Sequence, residues 1–278
     1  MTLTAIIAGQ GALPGLLAAA LAQRGERFLV AELDGVPSVV PGQTPIRFRV
    51  ERLVPFLDHL AQEGVTRVVL AGALRRPVLE PELFDPRTAA IVPRLLRAMQ
   101  SGDDAALREL IGIFEDWDFA VAGAQEIAPD LVPRPGLLAG SLTDRDRDDA
   151  ARAAEIVAAI GAVDVGQGAV VANGLCLAVE ALPGTDAMLD FVGLHRGIRS
   201  GEFLPASGLL YKAPKPGQDR RADMPALGPD TVDRAARAGL AGIAWEAGGL
   251  LLLDRDATVA KARENRLFLW SRPGDRRG

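Results

Sequence analysis

The chain has 278 residues, 49% of them hydrophobic, enough to bury a large core and long enough for that core to divide into two domains. Its net charge of -5 excludes the basic face of a nucleic-acid binder, while leaving room for a small phosphorylated ligand on a local basic cluster. A single cysteine and two histidines exclude a disulfide framework, a Cys-based zinc or iron–sulfur site and a multi-histidine metal site. Any catalytic metal would therefore rest on oxygen ligands, which suits Mg²⁺, with Mn²⁺ as the alternative.

Short apolar runs alternate with helical ones through the first half. Residues 5–8 read as a strand, 14–23 as a helix, 28–32 as a strand, 53–62 as a helix and 67–71 as a strand. Strands separated by helices predict a parallel sheet. The apolar stretch 6–22 lacks a basic leader and is broken by Gln10 and Pro14, so it reads as strand, loop and helix rather than a signal peptide. No run approaches the ~20 apolar residues of a membrane span, and the expectation is a soluble, cytoplasmic chain.

Between the first strand and helix lies Gly9-Gln10-Gly11-Ala12-Leu13-Pro14-Gly15, where backbone N–H groups and a helix start can face a phosphate. It departs from a dinucleotide fingerprint, because Pro14 stands where the third glycine is expected. Glu32 and Asp34 are spaced either to bind a ribose or merely to end a strand. After the third strand, Gly72-Ala73-Leu74-Arg75-Arg76-Pro77 sits at the carboxyl edge of the sheet, where an arginine grips phosphate or simply faces solvent. Helical patterns at 88–99 and 104–117 would cover that sheet.

The Pro- and Gly-rich passage 129–140 marks the domain connection, giving a Rossmann-like nucleotide-side domain over 1–137 and a mixed α/β catalytic domain over 138–278. Asp144, Asp146, Asp148 and Asp149 crowd the start of a helix, as the macrodipole favours. Asn173-Gly174 joins 169–172 to 175–180 as a hairpin. A second hairpin is expected between 242–246 and 250–253 across Ala247-Gly248-Gly249. Glu180 then leads through Gly184, Thr185 and Asp186 into another helix start. That stretch is either a cap or, with Gln167 and Glu246, the wall of an anion site. His195 reads as a helix-end residue.

The densest stretch runs from Tyr211 to Pro225. Only three of the 31 basic residues are lysines, and Lys212 and Lys215 fall here beside the chain's one tyrosine. A compact ammonium retained in an arginine-rich chain points to phosphate, and Asp219 and Asp223 stand close by to bind metal or position water. A mixed-charge surface loop is the plain alternative.

These motifs resemble the LpxI-type UDP-2,3-diacylglucosamine pyrophosphatases. The similar segments are Ile7 to Pro14, Gly102-Asp103-Asp104, Val121 to Ala124, Asp164 to Gln167, Ala178 to Ala181, Gly184 to Met188, Lys215 to Asp219 and Ala241 to Ala244. The resemblance spans nearly the whole chain. It implies Mg²⁺-dependent hydrolysis of UDP-2,3-diacylglucosamine to UMP and 2,3-diacylglucosamine 1-phosphate, a step of lipid A biosynthesis at the inner face of the bacterial inner membrane. By the same resemblance Asp219 and Asp223 hold metal and water, Lys215 and Gln218 contact the diphosphate, and Gly9, Gly11 and Leu13 line the nucleotide side. The family has one basic residue before the proline of the middle motif where this chain offers two, Arg75 and Arg76, and Arg76 is the substrate-binding candidate. Peripheral membrane contact and a homodimer are compatible with this reading. Its rivals are an NAD-dependent nucleotide-sugar dehydrogenase built on the glycine loop and a non-catalytic nucleotide-lipid binding module.

Overall fold

The computed structural model describes residues 2–73, 79–100, 102–196 and 207–274. It divides into two compact units, Met1–Pro129 with Asp219–Asp223, and Asp130–Gln218 with Met224–Gly278.

In the first unit the chain runs β1 (Leu3–Ala8), α1 (Leu13–Gln23), β2 (Arg27–Leu33), β3 (Ile46–Phe48), α2 (Leu53–Gln62), β4 (Arg67–Ala71), α3 (Pro86–Gln100), α4 (Asp103–Asp116), β5 (Ala120–Ala122) and α5 (Ala124–Ile127). The five strands are parallel in the order β3-β2-β1-β4-β5. Every residue of β1 is buried, as expected of a central strand covered on both faces. Leu57, Leu60, Val68, Ile113 and Phe114 form the core on one face of this sheet. The order reverses at β1, which lies between β2 and β4. That is the switch point of a doubly wound sheet, where the carboxyl ends of the strands leave a crevice.

The second unit contributes β6 (Gly136–Ala139), α6 (Asp144–Ala162), β7 (Gly168–Ala172), β8 (Leu175–Val179), α7 (Gly184–His195), β9 (Leu209–Lys212), β10 (Ala226–Leu227), α8 (Pro229–Arg237), β11 (Gly242–Glu246), β12 (Leu251–Leu252), α9 (Arg255–Glu264) and β13 (Phe268–Arg272). Six strands form one sheet in the order β6-β13-β11-β9-β7-β8. Its centre, β13, β11 and β9, is parallel, whereas β6, β7 and β8 run antiparallel to their neighbours. Alternation along β9 decides the two faces. Leu209 and Tyr211 meet Ala150, Ala153 and Val157 of α6, while Leu210 joins Leu189, Val232 and Trp245 on the opposite side.

The acidic start of α6 is a capping box: Thr143 Oγ1 accepts from Asp146 N at 3.2 Å, and Asp146 Oδ2 accepts from Thr143 N at 2.8 Å. Asp149 has a further task. Its carboxylate accepts from Asn173 N (3.0 Å) and Gly174 N (2.6 Å), fixing the tip of the β7–β8 hairpin that Asn-Gly predicts.

The second expected hairpin does not form. The chain turns at Gly248, with φ +75°, and Gly249 N donates to Glu246 O at 2.9 Å. β11 then pairs in parallel with β9 and β13, while β12 leaves the main sheet to pair with β10. A two-sided parallel partnership occupies both edges of β11, so none remains for β12.

Candidate functional site

In the first unit the glycine loop is shaped by close backbone packing at the ends of β1 and β4. Gly9 N donates to Ala71 O (2.7 Å), and Gln10 and Ala73 exchange backbone hydrogen bonds of 2.9 and 3.0 Å. A Cβ on Gly9 would lie 2.5 Å from Ala73 O, and one on Gly72 2.5 Å from Gln10 O. Only glycines let the two loops touch. Gly11 has open space but a φ of +98°, so its requirement is conformational. Leu13 opens α1 behind Ala12, which offers no side-chain cap. The first helical N–H groups are thus left without a side-chain partner from Ala12, at the switch point of the sheet. Arg75 and Arg76 lie outside the described residues.

Glu32 is committed internally. It is 4% exposed, accepts from Ser38 N (2.9 Å) and Ser38 Oγ (3.0 Å), and receives Arg47 Nε at 3.0 Å. The Ser38 backbone hydrogen bond is the main reason its carboxyl stays below the usual glutamate range, against the opposing effect of burial. The acid a dinucleotide ribose would need is therefore left to Asp34, which pairs with Arg49 at 3.3 Å.

Asp219 to Asp223 form a single turn counted with this unit. Ala222 N and Asp223 N both donate to Asp219 O, at 3.1 and 3.4 Å, and Ala222 packs against the core that holds Phe114. The Asp219 carboxylate receives Arg221 N at 2.9 Å, Arg221 Nε at 3.0 Å and Arg221 Nη2 at 2.7 Å. Arg221 Nη1 reaches Glu115 on α4 at 2.7 Å. The Arg221 guanidinium holds the Asp219 carboxyl below the ordinary range, and the two carboxylates raise Arg221 in return. Glu115 and Arg221 are functional candidates that sequence reading missed. They are 106 positions apart, and no local pattern connects them.

In the second unit Lys212, Thr185 and Glu180 come together. Lys212 ends β9 and is 5% exposed; its Nζ donates to Thr185 Oγ1 at 2.8 Å, and Thr185 Oγ1 donates to Glu180 Oε2 at 2.8 Å. Lys212 and Glu180 are 3.8 Å apart, and Lys212 also reaches Ala226 O at 3.5 Å. Thr185 does not cap α7, whose N-cap is Pro183, but links the two charges. Gly184 enters the helix with φ +85°. Asp186, in contrast, points to Arg234 at 3.3 Å and is mostly exposed.

The glycines beside Gln167 admit Glu180. A Cβ on Gly168 would lie 2.5 Å from Glu180 Oε2, and one on Gly166 2.0 Å from Glu180 O. Gln167 O accepts from Ala213 N at 3.1 Å, whereas its buried Oε1 has no hydrogen-bond partner among the described residues.

Lys215 forms an ion pair with Asp164, a residue at φ +56° just beyond α6. Its backbone N donates to Gln218 Oε1 (2.9 Å), and Gln218 N returns to Lys215 O (3.1 Å), closing a turn at Gly217. Asp164 was also missed as a partner, although its motif is among those that carry the resemblance. His195 ends α7, exposed, with Nδ1 2.8 Å from Phe191 O. Among the described residues no three His, Cys, Asp or Glu side chains gather as a metal cage, and no helix is long and apolar enough to cross a membrane.

Comparison with known proteins bears out the resemblance along both halves. The profile of the LpxI N-terminal domain matches residues 3–131, and that of the LpxI C-terminal domain matches residues 134–270. A Caulobacter vibrioides protein named UDP-2,3-diacylglucosamine pyrophosphatase LpxI is 41% identical over 270 residues, covering 95% of each chain. On these grounds the chain belongs to the LpxI family.

Proposed function

We propose that this chain hydrolyses the diphosphate of UDP-2,3-diacylglucosamine, releasing UMP and 2,3-diacylglucosamine 1-phosphate as a step of lipid A biosynthesis, with Mg²⁺ or Mn²⁺ as its metal. The observation that carries this reading is the 41% identity to the pyrophosphatase from Caulobacter vibrioides, which extends over 95% of both chains. Such coverage takes in the glycine loop, the Glu180 to Asp186 corner and the Lys215 to Asp223 stretch together.

The donor chemistry suits a hard divalent cation. Asp219 and Asp223 are one turn apart, joined by the 3.4 Å contact of Asp223 N with Asp219 O. Two carboxylates, with no larger cage among the described residues, match Mg²⁺ at a diphosphate, where substrate oxygens and water would complete the shell. The oxygen ligands would come from the Asp219–Asp223 turn, and the bound metal would offset phosphate charge and favour an ionised or oriented water. The chain's own groups do the rest. Lys215 and Gln218 bind the diphosphate, with Lys215 offsetting charge on the leaving side. Lys212, Thr185 and Glu180 keep the start of α7 and the end of β9 in one arrangement, with Gln167 beside Glu180, while Asp186 turns outward to Arg234. Gly9, Gly11 and Leu13 present backbone to the nucleotide.

Water adds across one P–O–P bond, so each product keeps one phosphate. The enzyme would work as a cytoplasmic protein at the periphery of the inner membrane, where its substrate resides. The test is UMP release from UDP-2,3-diacylglucosamine, followed by chromatography with and without Mg²⁺. Asp219→Ala/Asp223→Ala should abolish turnover while leaving the circular dichroism spectrum unchanged. Full activity in that variant would sink the assignment, and binding without metal-stimulated turnover would favour a nucleotide-lipid binding module.

A further inference from the structure

A cavity of about 410 Å³ lies within the first unit, between the edge strand β3 and α2. Its size falls in the range of small-molecule sites, about 300–1,000 Å³. None of Gly9, Gly11, Leu13, Lys215, Asp219 or Asp223 lines it. Four lining residues share one face of α2, because they follow one another at spacings of three, four and seven: Arg52, the N-cap residue, then Pro55, Phe56 and His59. From β3 comes Phe48, half-buried and stacked on Phe56 with ring centroids 4.1 Å apart and planes 9° from parallel. Asp34, just past the end of β2, completes the lining with a largely exposed carboxylate.

The charges around the cavity are unevenly satisfied. Arg47 is committed to Glu32, and Arg49 to Asp34, Glu51 and Glu80. Arg52 is exposed, and among the described residues its guanidinium makes no hydrogen bond or ion pair; it acts on the Asp85 carboxyl only through space. The His59 imidazole is likewise without a hydrogen-bond partner among the described residues. Seven helical positions place these two groups roughly 10 Å apart along α2, with the aromatic wall between them. Arginine reads phosphate through paired N–H donors, and a further ring can extend the stack at Phe48. A free phosphate would leave the aromatic wall uncovered, and an uncharged ring would leave Arg52 unmatched.

We infer that this cavity binds a nucleoside monophosphate, its phosphate on Arg52 and its ring on the aromatic wall toward His59, at a site separate from the glycine loop. The site is read from its own lining and is independent of the proposed hydrolysis. The test titrates the full chain, without divalent metal or substrate, with UMP, uridine and inorganic phosphate, following the imidazole carbon–proton NMR signals. The chain's only histidines are His59 and His195, and His195→Gln assigns the two. UMP should shift the His59 signal saturably and leave His195 unmoved. Uridine and phosphate, each lacking one half of the ligand, should bind at least about tenfold more weakly. Arg52→Gln, with circular dichroism unchanged, should raise the UMP dissociation constant about tenfold by removing the charged phosphate contact. Because Arg52 also begins α2, a measurement on the unaltered chain keeps the site falsifiable: the Phe48 ring protons should show nuclear Overhauser effects to bound UMP. A His59 signal untouched by UMP would overturn the site. So would a shift without the Phe48 effects, or an Arg52→Gln variant that binds as tightly as the unaltered chain. Phosphate or uridine binding as tightly as UMP would overturn the assignment to a nucleoside monophosphate.

Discussion

The Lys212–Thr185–Glu180 relay makes a sharp prediction about stability. Lys212 and Glu180 have side chains only 6% and 10% exposed, so neither charge is substantially solvated by water. Removing one partner from a buried pair costs about 3–5 kcal/mol, because the other charge stays behind without compensation. Here the lower end applies. After Lys212→Met, Glu180 keeps the 2.8 Å hydrogen bond from Thr185, and the direct Lys212–Glu180 separation is already 3.8 Å. The expected loss is about 3 kcal/mol, or roughly 6–12 °C in midpoint for a unit of this size. Urea unfolding followed through fluorescence of Trp245, fully buried in the core of the second unit, reads it directly. Lys212→Met/Glu180→Leu removes both charges and should be at least about 1.5 kcal/mol less destabilised than the sum of its single variants. A single-variant loss below about 1 kcal/mol, or simple additivity, would refute the idea that the two charges depend on each other.

Other substitutions probe the first unit. Gly9→Ala places its Cβ 2.5 Å from Ala73 O, so the two loops must separate; a loss of about 1–3 kcal/mol is expected in denaturation followed at Trp117. Glu32→Gln should destabilise the protein at neutral pH. The folded carboxyl titrates below its unfolded value, so its contribution is present above the unfolded value and fades as pH falls through the folded one. The gap between wild type and variant should therefore narrow in acid, and a gap that widens would contradict the assignment. Glu115→Gln and Arg221→Lys should each lower kcat roughly tenfold or more by loosening the Asp219–Asp223 turn, with KM changed far less. Steady-state UMP release from the single and double variants checks this, and independent effects would show that Glu115 does not act through Arg221.

Much of the fold is legible in the sequence wherever a local pattern and its partner lie close together. The parallel strands of the first unit follow from their alternation with helices, and the β7–β8 hairpin follows from Asn173-Gly174. The turn at Ala247-Gly248-Gly249 is equally legible, yet the strand after it pairs elsewhere, because a turn specifies a reversal and not which edge is still open. Glu32 illustrates the same limit. Its distance from the glycine loop fits a ribose ligand, but Ser38 and Arg47 bind it, and neither is marked by a motif. The inclusion of Asp219–Asp223 in the first unit depends on Glu115 and on the packing of Ala222, both remote in sequence.

Lysine scarcity has a different meaning once the partners are known. All three lysines of the chain sit on carboxylates: Lys212 near Glu180, Lys215 on Asp164 and Lys261 on Asp233. Rarity alone therefore does not single out a phosphate site, since Lys261 lies in an ordinary helix-to-helix pair. Burial separates the cases. Lys212 is enclosed with its partners, so on the proposed function any contribution to turnover would run through Thr185 and the start of α7. Lys215 is held at one end by Asp164 and at its backbone by Gln218. A diphosphate entering there would compete with Asp164 for the ammonium, whereas one near Lys212 would first have to break the Thr185 link. Asp164→Asn should then shift the KM for substrate and leave unfolding nearly unchanged, while Lys212→Met does the reverse. Equal effects of the two variants on KM would mean that both lysines meet the diphosphate.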